Sequence, residues 1–159
     1  EDVARLVPGA RLEIIEGMQG VVFRKGVPRF EGRAAQEALA AALADPDCIM
    51  VNRNAGAGTR ILIDQLLGAA RPPGYGNQPR SHNAVAAAVA QGRADWGVAI
   101  EPVARAAGLG FLPLRHEQYD FVVPRTRRDR PAVRAFAELL NDPAIRKELL
   151  QRGFCPSDD

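Results

Sequence analysis

Residues 52–60 read NRNAGAGTR, between the apolar run CIMV (48–51) and the segment ILIDQLLGAA (61–70). The first run is short, continuous and apolar, the pattern of a strand covered on both faces. The second has helical spacing and predicts Ile61, Leu62, Leu66 and Ala69 near one face. Strand, glycine turn and helix in that order form a natural anion site. The first amides of a helix have no intrahelical partner, and the helix dipole adds partial positive charge there. Gly56 and Gly58 remove side chains that would hold a ligand off the backbone. Thr59 offers a cap or a hydroxyl donor, and Arg60 or Arg53 offers charge. No lysine follows the second glycine, so this is not a P-loop, and the third glycine of a dinucleotide fingerprint is missing. A tight turn without a ligand fits the same letters, because glycine turns are common.

Outward from this turn, strands and helices alternate. ARLEIIEG (10–17) and GVVFRKG (20–26) predict two short strands punctuated by Gly17 and Gly20. GRAAQEALAAALADP (32–46) predicts a helix with Asp45-Pro46 as its stop. RPPGYGNQPR (71–80) is too rich in proline and glycine for regular structure; its Tyr75 is either part of a lid or a packing residue of the loop. SHNAVAAAVAQG (81–92) predicts a helix capped by Ser81 and ended by Gly92. DWGVAI (95–100) predicts a strand, with Trp96 in the core or on a cleft wall, and EPVARAAG (101–108) a short helix with proline in its first turn. GFLPL (110–114) and YDFVVPR (119–125) predict two more strands, and two amphipathic helices follow at 130–140 and 142–153. The class is α/β, in layers around a mostly parallel sheet.

Ser81-His82-Asn83 opens a second helix directly after an irregular loop. Two helix starts converging on one cleft would supply several backbone donors and the Thr59 and Ser81 hydroxyls, which hold an oxyanion without metal. The plainer reading is that Ser81 only caps and that His82 is a solvated loop residue; one histidine without partners is no catalytic group. No His/Cys cluster has metal-ligand spacing and no nucleophilic triad is visible, so neither a metal site nor a catalytic residue is expected.

Length and composition narrow the rest. At 159 residues the chain suffices for one domain or two small lobes. No apolar run approaches the roughly 20 residues of a membrane helix. The opening EDVARLVPGARLEI has no signal-peptide character, though a processed or truncated start is compatible with it. Cys48 and Cys155 lie far apart, so a disulfide framework is not expected; Cys48 reads as a small core residue, which fits a reducing compartment without proving one, and a cytoplasmic setting is the expectation. The net charge of +2 favours neither a nucleic-acid partner nor its exclusion. The run RTRRDRPAVR (125–134) could dock DNA, a phosphate-bearing partner or an adjacent domain, but it lacks interleaved aromatics and reads as a solvated linker and helix start, so no direct nucleic-acid contact is expected.

Taken together, VNRNAGAGTRILIDQLL and SHNAVAAAVAQGRADWGVAIEPVARAAGLGFLPLRHEQYDFVVPR resemble the periplasmic-binding-protein-like domain of the type II, molybdate-binding-protein-like kind. That domain is found beside helix-turn-helix regulators and in molybdopterin biosynthesis proteins of the MoeA type. EGMQGVVFRKGVPRFEG looks like the family's earlier Gln-Gly strand and glycine-proline turn. The resemblance covers most of residues 10–125. It implies two α/β lobes with a ligand between them, spanning 1–159, with about 25–118 as the second lobe and 1–24 and 119–159 as the return part of the first. Carried over by position, it puts Gly58 and Thr59 at one helix start, Ser81 and His82 at the other, and Tyr119 near the second crossing. The alternative for Tyr119 is an aromatic that packs the hinge.

The resemblance also implies that the first lobe's opening strand-helix unit is missing before EDVARLVPG, which leaves the first lobe incomplete. Glu101, just past DWGVAI, would repel an anion unless it turns outward or pairs with Arg53, Arg60 or Arg105; its plain reading is a first-turn acid on the helix dipole. The function expected is non-enzymatic sensing of a small oxyanion such as molybdate or tungstate, with no cofactor. The expected setting is an attached helix-turn-helix or molybdopterin-biosynthesis module, with a homodimer among the assemblies. Two rivals stand beside it: an accessory or oligomerisation domain of a molybdopterin biosynthesis enzyme without a free ligand, and a periplasmic transport receptor.

Overall fold

The structure, a computed structural model, describes residues 11–156; for 11–16, 118–120 and 155–156 it describes the backbone only. The chain divides into two compact units. A central one takes Met18–Arg115, and the other takes the chain on both sides of it, up to Gly17 and from His116 onward. In order, the elements are β1 (Arg11–Phe23), α1 (Ala35–Leu43), β2 (Met50–Val51), α2 (Gly58–Leu67), α3 (His82–Ala90), β3 (Trp96–Ile100), α4 (Glu101–Ala106) and β4 (Gly110–Val123). A single 3₁₀ turn (Arg125–Arg127), α5 (Pro131–Asn141), α6 (Pro143–Gln151) and β5 (Cys155–Pro156) follow.

The central unit is a three-layer α/β sandwich. Its sheet runs in the order β2-β3-β1-β4. The alternation of side chains across β1 and β3 sorts the core into two clusters. Val21, Phe23, Trp96 and Val98 point to one face, where Leu39 of α1 and Leu62, Ile63 and Leu67 of α2 meet them, with Phe30 and Met50. Val22 and Ala99 point to the other, against Val85 and Val89 of α3 and Ala104 of α4. All five residues of β3 are buried, as a strand covered on both faces requires.

Four sequence expectations change. The sheet is mixed, not mostly parallel. β2 and β3, joined through α2 and α3, are parallel (Met50↔Trp96, Val51↔Gly97), but β1 runs antiparallel to β3 from Gln19↔Ile100 to Phe23↔Trp96. β1 and β2, although joined through α1, run in opposite directions on either side of β3.

The two predicted strands at 10–26 are one, because Gly20 does not turn the chain. A Cβ there would lie 2.4 Å from the Leu112 carbonyl oxygen and 2.5 Å from the Phe111 ring, so glycine is present for close approach. The two strands predicted at 110–125 also merge, into β4. In α2 the buried residues are Thr59, Leu62, Ile63 and Leu67, while Ile61 and Leu66 are exposed. Thr59, Ile63 and Leu67 repeat every fourth residue and set the face, so of the predicted stripe only Leu62 is buried.

In the flanking unit, Ile15 and Glu16 of β1 pair antiparallel with Pro156 and Cys155 of β5. Phe121 meets Phe136 edge-on at 5.1 Å. Neither α5 nor α6 buries a residue, and Phe136, Leu139, Ile145 and Leu150 are exposed. A hollow of about 320 Å³ lies among Phe121, Val123, Val133 and Phe136.

Candidate functional site

The geometry begins where β2 ends. The backbone N–H of Asn52 donates to the Asn77 carbonyl (2.9 Å) and that of Asn54 to Pro79 (3.2 Å), so residues 52–54 run beside 77–79. Asn52, fully buried, completes the stitching: its Nδ2 donates to the Tyr75 carbonyl at 3.1 Å and its Oδ1 accepts from the Arg53 N–H at 2.8 Å. One of these paired segments leads into α2 and the other into α3, so the two helix starts lie close in space. Arg53 sits where they meet. It is 8% exposed, and its Nη2 donates to the Arg80 carbonyl at 3.4 Å.

The two starts differ. α2 begins after Ala57, which cannot cap with a side chain, leaving the first-turn amides without side-chain partners. Gly56, at φ +84°, supplies the turn that an L side chain would strain. Gly56 and Gly58 are exposed, while Thr59 is buried. α3 is capped as the sequence predicts: Ser81 Oγ accepts from the Ala84 N–H at 3.1 Å. Its lone pair is thus engaged, and its proton stays available as a donor.

Arg60 turns away from this meeting point into a network. Its Nε donates to both Asp64 oxygens at 2.9 Å, Nη2 to the Tyr75 hydroxyl at 2.6 Å, and Nη1 to the Arg53 carbonyl at 3.0 Å. The Tyr75 hydroxyl donates to Asp64 at 2.9 Å, and the Arg60 and Arg71 guanidiniums each lie over its ring, at 4.7 and 4.6 Å from the centroid. Burial pushes the Asp64 carboxyl up, but the hydrogen bonds from Tyr75 and Arg60 outweigh it and hold the group below its usual range. Tyr75 is therefore the pin that fastens loop 71–80 onto α2, and Arg60 passes that order to the Arg53 backbone. Tyr75→Phe is expected to cost about 1 kcal/mol in denaturant unfolding, for two lost hydrogen bonds at a half-buried site. An unchanged midpoint would show that the loop is held elsewhere.

His82 is half-buried rather than solvated. Burial and then the Arg53 charge lower its pKa from 6.5 to about 4, and its Nδ1 is buried with no hydrogen-bond partner. A depressed histidine pKa means that the unfolded chain takes up the proton first. Stability is therefore full above about 6.5 and falls as pH drops toward about 4. His82→Asn should flatten that part of the profile of melting temperature against pH; a profile identical to wild type would contradict this environment.

Glu101 pairs with Arg105 at 2.7 Å, so its charge is compensated from within α4. Of the residues read from the sequence, Gly56, Gly58, Thr59, Arg60, Ser81 and His82 all fall in the central unit. Tyr119 lies on β4 in the other unit, and its side chain is outside the described residues. Two features escaped the sequence reading: the depth of Arg53 and the buried Gln19. Each carried a faint signal, a charged residue directly after an apolar strand and a polar residue in the apolar alternation Gln19, Val21, Phe23. Among the described residues, no group of His, Cys, Asp or Glu is arranged to hold a metal ion.

Comparison with known proteins agrees with this architecture. The family model described as PBP superfamily domain matches residues 2–141. YvgK of Bacillus subtilis (strain 168), an uncharacterised protein, is 34% identical over 108 residues, which are 65% of this chain and 34% of YvgK. An uncharacterised protein encoded 5′ to a 2Fe-2S ferredoxin gene of Clostridium pasteurianum is 30% identical over 77 residues, 48% of this chain and 68% of that protein. Among solved structures, the tungstate-binding protein TupA of Desulfovibrio alaskensis G20 shares the fold at a TM-score of 0.62 and 16% identity, over 99% of this chain and 73% of TupA. The ancestral amino acid-binding protein AncCDT-1 does so at 0.59 and 16% identity, over 87% of this chain and 58% of its own. The chain thus spans only part of the length of these relatives. The fold is that of type II periplasmic binding proteins, and the chain belongs to the PBP superfamily domain family.

Proposed function

We propose that the central unit contributes an anion site that holds a small oxyanion, of which molybdate and tungstate are the leading candidates, and that the domain senses its ligand without transforming it. The observation that carries this reading is the convergence of an almost wholly buried Arg53 charge with two helix starts, one of them without a side-chain cap. The cation, the helix dipoles and the first-turn amides all favour the same sign of guest. His82, kept neutral beside Arg53, would gain its proton as negative charge arrives. In this reading Gly56 donates from the turn before α2, Gly58 and Thr59 from α2 and Ser81 and His82 from α3, and Arg60 supports Arg53. The tungstate ligand in TupA's name agrees with the choice. Binding would report to an attached helix-turn-helix or molybdopterin-biosynthesis module in the cytoplasm, through differential affinity for a ligand-favoured state.

Titration calorimetry of the full chain with molybdate, tungstate and sulfate tests it. Saturable binding is expected, weakened about tenfold or more by Arg53→Ala, for a lost charged hydrogen bond. No heat with any of the three, and no thermal shift, would defeat the proposal. One observation favours the rival of an accessory domain in an oligomer: Phe136, Leu139 and Leu150 are exposed on α5 and α6. Concentration-dependent association without anion binding would support that rival.

A further inference from the structure

We infer that Gln19 is a ligand-contacting residue of this site, its buried amide end completing its hydrogen bonding on the bound molecule. The inference rests on the anion-site reading above. Gln19 is 3% exposed, and its Oε1 is buried with no hydrogen-bond partner. A buried polar atom without a partner lowers the stability of the free protein, and an apolar side chain would avoid that penalty. Such a residue is expected where a ligand supplies what the fold does not.

Its position fits. Gln19 pairs in register with Ile100, the last residue of β3. β2 runs parallel to β3 and leaves the sheet at the same end, leading through the turn at 52–57 into α2. Strand alternation puts Gln19 on the face of Val21 and Phe23, which pack with Leu62 and Ile63 of α2. Gln19 therefore lies on the α2 side of the sheet, at the end where α2 begins and where Thr59 is buried. The contrast with Trp96 is informative. Its Nε1 is also buried without a partner, but Trp96 is the first residue of β3 and pairs with Phe23, the last of β1, at the opposite end of that pairing from Gln19. Among the described strand residues, Gln19 combines an unpartnered polar end with the strand end; the other such atoms near the helix starts, Asn54 Oδ1 and His82 Nδ1, lie outside the strands. Either end of the amide serves: the nitrogen donates to an oxyanion, and the oxygen accepts from a ligand that carries a proton.

The test is Gln19→Met, close in shape and without the polar end, in the full chain. Tungstate, molybdate and hydrogen phosphate are the probes, and melting temperature is read with and without each. The expected result is a ligand-free melting temperature at or above wild type and an affinity about tenfold or more weaker. If the methionine chain does not fold, Gln19→Glu keeps size and polarity and should weaken the fully deprotonated anions most, by charge repulsion. Wild-type binding with unchanged affinity in the variant that folds overturns this inference alone. A wild type that binds none of the probes overturns the site reading, and this inference with it.

Discussion

Trp96→Ala is expected to cost about 3–5 kcal/mol of unfolding free energy. Trp96 is 1% exposed and lies in the middle of the sheet, in register with Phe23 on one side and Met50 on the other. Its ring packs in the cluster with Phe30, Leu62 and Ile63, so truncation leaves a void between the sheet and α2. The surrounding strands cannot collapse into that void without breaking their pairing, which is why the cost goes beyond lost transfer free energy. For a domain stable by about 5–15 kcal/mol, that is a large fraction of the total. Trp96 is the single tryptophan of the chain, so tryptophan fluorescence is lost with it and urea unfolding is followed by far-ultraviolet circular dichroism. Trp96→Phe should cost much less, since it keeps most of the volume and removes an indole N–H that has no partner. A loss under about 1 kcal/mol for the alanine variant would contradict the packing.

Gly20→Ala is the second large effect, about 1–3 kcal/mol or more by overpacking. The added methyl would meet the Leu112 backbone oxygen at 2.4 Å and the Phe111 ring at 2.5 Å. The ring can rotate aside, but the oxygen belongs to β4 and moves only with the strand. Phe111→Ala therefore should not rescue Gly20→Ala in a double-mutant cycle. Gly76→Ala, where a methyl meets nothing within 4 Å, is the control and should stay within about 0.5 kcal/mol of wild type. Full rescue by Phe111→Ala would mean that the side chain, not the backbone, sets the limit.

Much of the fold was legible because its signals are local. CIMV, the glycine turn and the helix after it lie within one short stretch, and the Ser81 cap and the first-turn proline of α4 are read from a few adjacent letters. The strand mergers were not legible. Gly17 and Gly20 look like punctuation until Leu112, far along the chain, is seen to occupy the space beside Gly20. The candidate site divides the same way. The glycines and the hydroxyls at the two helix starts follow from pattern, whereas the Arg60 network does not, because Tyr75 joins Arg60 and Asp64 from a loop beyond the end of α2.

The sequence by itself determined the order of strand and helix, the two helix starts and the residue types gathered there, since capping, turn geometry and periodicity act over one or two turns of chain. Only the tertiary structure decided which charge is buried and what each polar group meets. Arg53 goes inside at 8% exposure while Arg60, close by in sequence, is tied to Asp64 and Tyr75, and Gln19 is left buried without a partner. Those outcomes depend on strand register and loop docking between residues distant in sequence, where burial, not local propensity, sets the energy of each polar group.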